Sequence, residues 1–291
     1  MDFSLDYTDE QQEFRKEVIA WLDEHAPKAL VGSGVGVQGY ETGDMVAGGA
    51  APQDDAAEAA GKEFRRQLGE RGWIAPTYPA EYGGAGLTDD HAAVINEELA
   101  ERGLGRFRSL SLVAPALLAH GTEDQKRRLL PSILRGELTV WQIFSEPEAG
   151  SDLASMRTVA KREGDEYVLT GQKLFKEEFY DADLIYTLAN TRPGAEPREN
   201  ITAFLIPTDT RGITIEYRNL GGPAGEQRIL TFNNVRVLPE YVIGMEGQGW
   251  QVAQTTLELE RGGMGSLGSG RTFLDDLFGL ARQTRLSAGG S

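Results

Sequence analysis

The chain of 291 residues contains no cysteine, which excludes disulfide bonds, thiolate catalysis and metal centres with cysteine ligands. Histidine is nearly as scarce, because only His25, His91 and His120 are present and they lie far apart in the sequence. A histidine-based zinc site is therefore not expected. Long apolar runs are also lacking. No stretch approaches the ~20 residues that a membrane-spanning helix requires, so we expect no membrane span.

Positive charge is in short supply. The chain has 29 lysines and arginines against 45 aspartates and glutamates, which gives a formal net charge of −16 at pH 7. This balance argues against nucleic acid as a partner, although a small anionic ligand could still bind at a locally basic site. The opening residues Met1–Leu5 alternate apolar and polar side chains and carry no basic leader, so we expect a cytoplasmic protein.

The first half of the chain has the spacing of helices. The length of 291 residues is enough for about two compact domains, and the apolar content of 40% allows a sizeable core. Thr8 with Gln11 and Thr122 with Gln125 have the pattern of capping boxes at helix starts. One segment differs, because Val31–Ala50 contains seven glycines and predicts a flexible loop over about residues 31–52. Helices are predicted at residues 8–25, 56–72, 89–102, 109–120 and 122–135.

From Thr139 the pattern changes to short apolar or alternating runs separated by turn residues. Such runs predict strands, and many short strands in succession predict an antiparallel barrel or sandwich. After Gly249 the helical period returns and continues to about Leu286, which predicts the start of a second helical domain. The strands are predicted at residues 167–170, 184–188, 201–206, 213–217 and 229–232.

The most informative stretch is Trp141–Ala154, an apolar run that breaks at Glu146 and Pro147 and then turns on small residues. Proline lacks a backbone donor and biases the preceding residue away from helix. The small residues at 149–151 let another molecule approach the backbone closely. The hydroxyls of Ser145 and Ser151 could face the same space, which suits a flat cofactor with polar edges.

This stretch also resembles the signature of the acyl-CoA dehydrogenase family, which reads roughly F-[ST]-E-P-x-A-G-S-D-L. The resemblance implies an α+β fold. A helical N-terminal domain would occupy residues 1–138, a central antiparallel β-barrel residues 139–244, and an incomplete C-terminal helical bundle residues 245–291. Further stretches resemble the family in the expected order, namely Gly72–Thr88, Pro131–Glu137, Gly171–Lys173, Asp181–Asp183, Gly247–Trp250 and Glu260–Arg261.

The resemblance further implies an enzyme that uses FAD to dehydrogenate an acyl-CoA thioester between its α- and β-carbons. Electron-transfer flavoprotein or a similar acceptor would take up the electrons, and the chain would form a homo- or hetero-oligomer. By the same resemblance one wall of the flavin site would consist of Gln142, Phe144, Ser145, Gly150 and Ser151. The second wall would contain Phe175 and Glu177, where the family usually has tryptophan and a hydroxyl residue.

Glu177 departs from the family pattern, because a carboxylate only accepts hydrogen bonds where the family provides a donor. An unpaired buried carboxylate there would cost at least several kcal/mol. Either Glu177 is protonated, or it turns towards Lys176 or solvent, or this chain does not hold flavin in the usual way.

The resemblance also implies that the catalytic base is Glu260, which matches the position of the base in some members of the family. Helical spacing places Ala253, Leu257, Glu260 and Met264 on one face, so the carboxylate would lie on an apolar stripe that raises its pKa. Glu260 could instead be a structural residue paired with Arg261. Ser151, Glu258 and Arg261 are predicted to line the substrate. Two alternatives remain open: a non-catalytic or half-site binding subunit of a heteromeric dehydrogenase, and an inactive truncated product.

Overall fold

The computed structural model describes residues 7–28, 55–104, 112–177, 182–219 and 226–263. The predicted loop at about residues 31–52 lies outside these ranges, as does the predicted helical segment after residue 263. Within the described ranges, none of the helices has the length and apolar character needed to cross a bilayer.

Among the described residues, five α-helices precede the first strand, as predicted from the helical spacing. Both predicted capping boxes are confirmed: the Thr8 hydroxyl accepts from the Gln11 N–H, and the Thr122 hydroxyl accepts from the Gln125 N–H, each at 3.2 Å. These bonds satisfy donors that a helix start otherwise leaves unpaired. The helices are α1 (Asp9–His25), α2 (Asp55–Glu70), α3 (Asp89–Glu101), α4 (Val113–His120) and α5 (Glu123–Leu134).

In the described part of the chain, eight strands follow, and a sixth α-helix, α6 (Gly249–Gly263), comes after them. All five predicted strands are confirmed as parts of longer elements. The strands are β1 (Val140–Gln142), β2 (Val159–Glu163), β3 (Glu166–Glu177), β4 (Leu184–Asn190), β5 (Ile201–Pro207), β6 (Ile213–Asn219), β7 (Glu226–Val237) and β8 (Val242–Ile243).

The strands form one large sheet in the order β6-β7-β3-β2-β4-β5-β8, with β1 paired to β4. The prediction of a central antiparallel barrel is therefore confirmed only in part. The pairings among described residues form an open path that ends at β6 and β8, and β1 runs parallel to β4. Parallel neighbours require a long crossover, which residues 143–183 provide. The strand β2 also meets β4 in parallel, at Val159 and Asn190.

Buried apolar side chains form three clusters. One packs α1, α2 and α3 together, and a second fills the inner side of the sheet around Trp141, Phe204 and Phe232. The third lies between the sheet and α4, α5 and α6, and includes Phe144 and Tyr186. Alternation along the segment from Val140 to Phe144 directs Trp141 into the second cluster and Phe144 into the third. The stretch singled out in the sequence thus lies where the sheet meets the helices.

Candidate functional site

A tight turn follows β1. The Ile143 N–H donates to the carbonyl of Tyr186 on β4 at 2.9 Å, which extends the strand by one residue. Glu146 and Ala149 then pair with each other, with N–H···O distances of 2.8 and 3.2 Å. Pro147, which has no N–H to satisfy, lies exposed at the tip of the turn. The predicted break at Glu146 and Pro147 is therefore a closed turn with defined backbone hydrogen bonds.

The side chain of Glu146 points inward and forms an ion pair with Lys173 on β3. The Lys173 Nζ donates to Glu146 Oε1 at 2.7 Å, and the two side chains are 0% and 4% exposed. The carboxylate also accepts from the N–H of Arg157 at 2.5 Å and from that of Thr158 at 3.1 Å. Lys173 donates a second bond, at 3.2 Å, to the carbonyl of Phe144. The pair thus connects the turn, the start of β2 and the middle of β3.

These partners determine the charge state of Glu146. Burial by itself raises the pKa of the carboxyl, but the Lys173 ammonium and the N–H donors outweigh it and hold the pKa below its usual value. An ionised carboxylate whose oxygens are already paired is a poor proton acceptor. Glu146 is therefore excluded as a catalytic base.

The predicted cofactor residues lie around this turn. The side-chain Oε1 of Gln142 is buried and has no hydrogen-bond partner among the described residues. Phe144 is buried, and the carbonyl of Ser145 accepts from the N–H of Leu174 on β3 at 2.9 Å. Gly150 and Ser151 are exposed, and a Cβ built on Gly150 would meet no atom within 4 Å. The turn thus offers open space beside the backbone and a buried acceptor in need of a donor.

The predicted second wall lies on β3. Lys176 is opposite Arg228 on β7, and Glu177 is opposite Gln227. The register shifts between Lys173 and Lys176, so β3 contains a bulge beside the turn. Bulges of this kind redirect side chains and occur often next to active sites. The side chains of Phe175 and Glu177 lie outside the described part, so their cofactor contacts stay predictions.

Tyr186 connects the turn to α6. Its ring packs edge-on against Phe144, with centroids 5.0 Å apart, and its hydroxyl lies 3.1 Å from that of Thr256. Thr256 in turn donates to the carbonyl of Leu112, just before α4, at 3.0 Å. Burial strongly raises the pKa of Tyr186, so its hydroxyl keeps its proton and remains a donor. The helix that carries Glu260 is thereby tied to the sheet beside Phe144.

The predicted apolar stripe of α6 is confirmed where its side chains are described. Ala253 is buried and Leu257 packs against the third cluster. Glu258 is exposed, and its substrate contact stays a prediction. Glu260 and Arg261 lie in the last turn of α6, but their side chains, like Met264, fall outside the described part. The role of Glu260 as base, and of Arg261 in lining the substrate, also stays a prediction.

Sequence reasoning missed the pairing of Glu146 with Lys173 and the contact of Tyr186 with Thr256. A signal for the first was present on β3, where alternation from Tyr167 through Leu169 and Gly171 places Lys173 on the inward face. An inward lysine requires an anionic partner. No comparable signal marks the second contact, because a hydroxyl pair between distant elements leaves no local pattern.

Comparison with known proteins gives the family. Residues 43–137 match the family model described as "Acyl-CoA dehydrogenase, N-terminal domain", and residues 142–235 match that described as "Acyl-CoA dehydrogenase, middle domain". The second match begins at Gln142 and therefore includes the turn and the strands that hold it.

Two relatives from Mycobacterium tuberculosis support the match. The chain is 31% identical to the acyl-CoA dehydrogenase FadE26 over 88% of its own length and 62% of the relative's. It is 33% identical to the acyl-CoA dehydrogenase IpdE1 over 94% of its own length and 69% of the relative's. A solved structure described as the Tcur3481-Tcur3483 steroid ACAD is 30% identical with a TM-score of 0.74, covering 97% of this chain and 69% of that one. The chain thus spans about two thirds of these relatives, and it belongs to the acyl-CoA dehydrogenase family.

Proposed function

We propose that this chain binds FAD and an acyl-CoA thioester, and that it takes part in the α,β-dehydrogenation of that thioester. The observation that carries the proposal is the turn at Phe144–Ser151, which lies against both β3 and the helices of the third cluster. In this proposal the flavin lies beside the turn, where Gly150 leaves open space next to the backbone.

The described residues fit a flavin. A flavin ring edge has both donors and acceptors, and the buried Oε1 of Gln142 lacks a donor within the described part. The open space at Gly150 allows a ring to approach the backbone, and the exposed hydroxyl of Ser151 can serve either flavin or thioester. Phe144 supplies an apolar contact. Bound FAD would accept the hydride that leaves the β-carbon of the substrate.

The base in this proposal is Glu260, which takes the α-proton from the substrate as the new C=C bond forms. An apolar environment raises the pKa of a carboxyl, and a raised pKa makes it a better proton acceptor near neutral pH. Ala253 and Leu257 give α6 an apolar face, and Glu260 follows at helical spacing. Glu258 and Arg261, one turn away or less, would contact the polar part of the substrate.

We propose the domain division on the same basis. Residues 1–138 would form a helical domain, residues 139–244 a β-barrel domain, and residues 245–291 the beginning of a C-terminal helical domain. Electron-transfer flavoprotein or a similar protein would be the electron acceptor, and the compartment would be the cytoplasm.

A second candidate is a half-site subunit, in which a different polypeptide completes the active site. Two observations favour it: Glu177 stands where the family has a hydroxyl residue, and the similar steroid ACAD carries a name that joins two polypeptides, Tcur3481 and Tcur3483. A bulky steroid acyl-CoA is then a substrate class to test beside straight-chain thioesters.

Anaerobic mixing of the FAD-loaded protein with saturated acyl-CoA thioesters tests the proposal. The panel would contain short, medium and steroid acyl chains, and loss of the yellow flavin absorbance reports hydride transfer. The matching α,β-unsaturated thioester is the control, because it binds the site but has no hydride to give. We expect bleaching by at least one saturated thioester and none by its unsaturated partner. Binding of every thioester without bleaching would favour the half-site subunit, and absence of both FAD and thioester binding would contradict the proposal.

A further inference from the structure

The Glu146–Lys173 ion pair joins three stretches of chain that are far apart in sequence. Glu146 belongs to the turn that carries the cofactor residues, and its carboxylate accepts from the N–H groups of Arg157 and Thr158. Lys173 lies on β3 and reaches back to the carbonyl of Phe144, two residues before Glu146. One carboxylate and one ammonium thus fix backbone groups on both sides of the turn. We call these two side chains, with the three backbone groups they bind, the clamp.

Stability alone does not account for the clamp. Moving two charges out of water costs several kcal/mol for each ion, and a well-packed apolar pair of similar volume is often as stable or more so. An apolar pair, however, cannot hold a peptide N–H or a carbonyl at a set position, because it forms no hydrogen bonds. The clamp holds two N–H groups and one carbonyl. Its distinctive effect is therefore on the backbone conformation of the turn.

Local packing supports the same interpretation. Gly171, two residues before Lys173, lies so close to Thr158 that a Cβ there would come within 2.4 Å of Thr158 Oγ1. The absence of a side chain at Gly171 lets β3 approach the start of β2, which brings Lys173 within reach of the carboxylate. The clamp occupies the buried side of the turn, while Gly150 and Ser151 remain exposed on the other side.

We propose that Glu146 and Lys173 are positioning residues that hold the Phe144–Thr158 backbone in its cofactor-binding shape before the cofactor arrives. The proposal rests on the proposed function, because it takes the ligand of this turn to be FAD. Ordering a loop on binding costs affinity, and a loop that is already ordered avoids that cost. The clamp would thus raise the affinity for FAD without touching it.

The test compares wild type with the near-isosteric double variant Glu146→Gln/Lys173→Met. The control variant is Phe232→Leu, a buried substitution on β7 of the same sheet. Hydrogen–deuterium exchange is measured over residues 144–158 in the absence of FAD. The dissociation constant for FAD and the midpoint of denaturant unfolding are then measured for all three proteins.

For the double variant we expect faster exchange confined to residues 144–158. We also expect FAD affinity to fall by roughly ten- to a hundredfold, the scale of a loosened binding site, while the unfolding midpoint moves no more than in Phe232→Leu. Phe232→Leu should leave exchange in the turn and FAD affinity near wild type. Unchanged exchange in the turn, or loss of the whole fold in the double variant, would overturn the proposal. Suppose that residues 144–158 exchange faster in the double variant than in wild type, but wild type binds no FAD. The proposed function then fails, and the role of the ion pair in positioning the turn stands.

Discussion

The hydroxyls of Tyr186 and Thr256 lie 3.1 Å apart in a buried contact between β4 and α6. The same tyrosine packs edge-on against Phe144 in the turn after β1. A single side chain therefore contacts both the turn that would hold the flavin and the helix that carries the candidate base. A shift of α6 relative to the sheet would disturb this contact.

A double-mutant cycle of Tyr186→Phe and Thr256→Val tests that contact. Tyr186→Phe removes the hydroxyl and leaves Thr256 with its bond to the Leu112 carbonyl. We expect Tyr186→Phe to lower the free energy of unfolding by about 1 kcal/mol, the usual scale for a buried hydrogen bond. Thr256→Val should lower it further, because it also removes the bond to the Leu112 carbonyl. The double variant should cost less than the sum, because both changes remove the same bond. Strict additivity in denaturant unfolding would show that the two hydroxyls do not interact.

Replacement of Glu177 tests the departure from the family pattern. Glu177→Thr restores a hydroxyl donor at the position where the family has one, so we expect wild type to bind FAD weakly and the variant to bind it more tightly. Fluorescence titration with FAD measures the change. The control is Glu166→Thr, which removes a carboxylate from the same strand at a half-buried position that is paired with Arg236. Wild-type protein that retains a full complement of FAD through purification, without a partner chain, would refute this expectation.

The ionisation of Glu146 predicts an acid-sensitive contribution to stability. Its pKa is lower in the folded chain than its usual value, so the ionised form stabilises the fold at neutral pH. That contribution is lost as the pH falls below the ordinary pKa of about 4.3. Denaturant midpoints measured between neutral pH and about pH 3 should therefore fall further for wild type than for Glu146→Gln/Lys173→Met. Parallel curves for the two proteins would mean that Glu146 does not titrate with folding.

Sequence alone predicted the local elements well, because their signals are local. The Thr8 and Thr122 caps, the apolar runs of β4 and β5 and the break at Pro147 each depend on a few neighbouring residues. The strand order did not follow from such signals. The parallel placement of β1 against β4, and the meeting of Val159 with Asn190, depend on contacts between distant segments.

In the candidate site, too, some features follow from local sequence and others depend on contacts between distant segments. The family pattern indicated the stretch Phe144–Ser151, and the structure shows that this stretch forms one turn beside β3. The pattern did not show that Lys173 holds the turn through Glu146, because the partner of an inward lysine depends on which strands become neighbours. Nor did it place Tyr186 between Phe144 and Thr256, a contact that exists only once α6 packs on the sheet.

We propose that Glu260 of this chain removes the α-proton from the substrate. The substitution Glu260→Gln tests this role. The substitution keeps the shape of the side chain and removes the proton acceptor. With the FAD-loaded protein, alone or with a partner chain, we expect turnover of acyl-CoA to fall by roughly a hundredfold or more, the usual scale for general base catalysis. FAD content and thioester binding should barely change, and the control Glu163→Gln, on the exposed side of β2, should retain wild-type turnover. Undiminished turnover in Glu260→Gln would contradict the account and place the base on another chain.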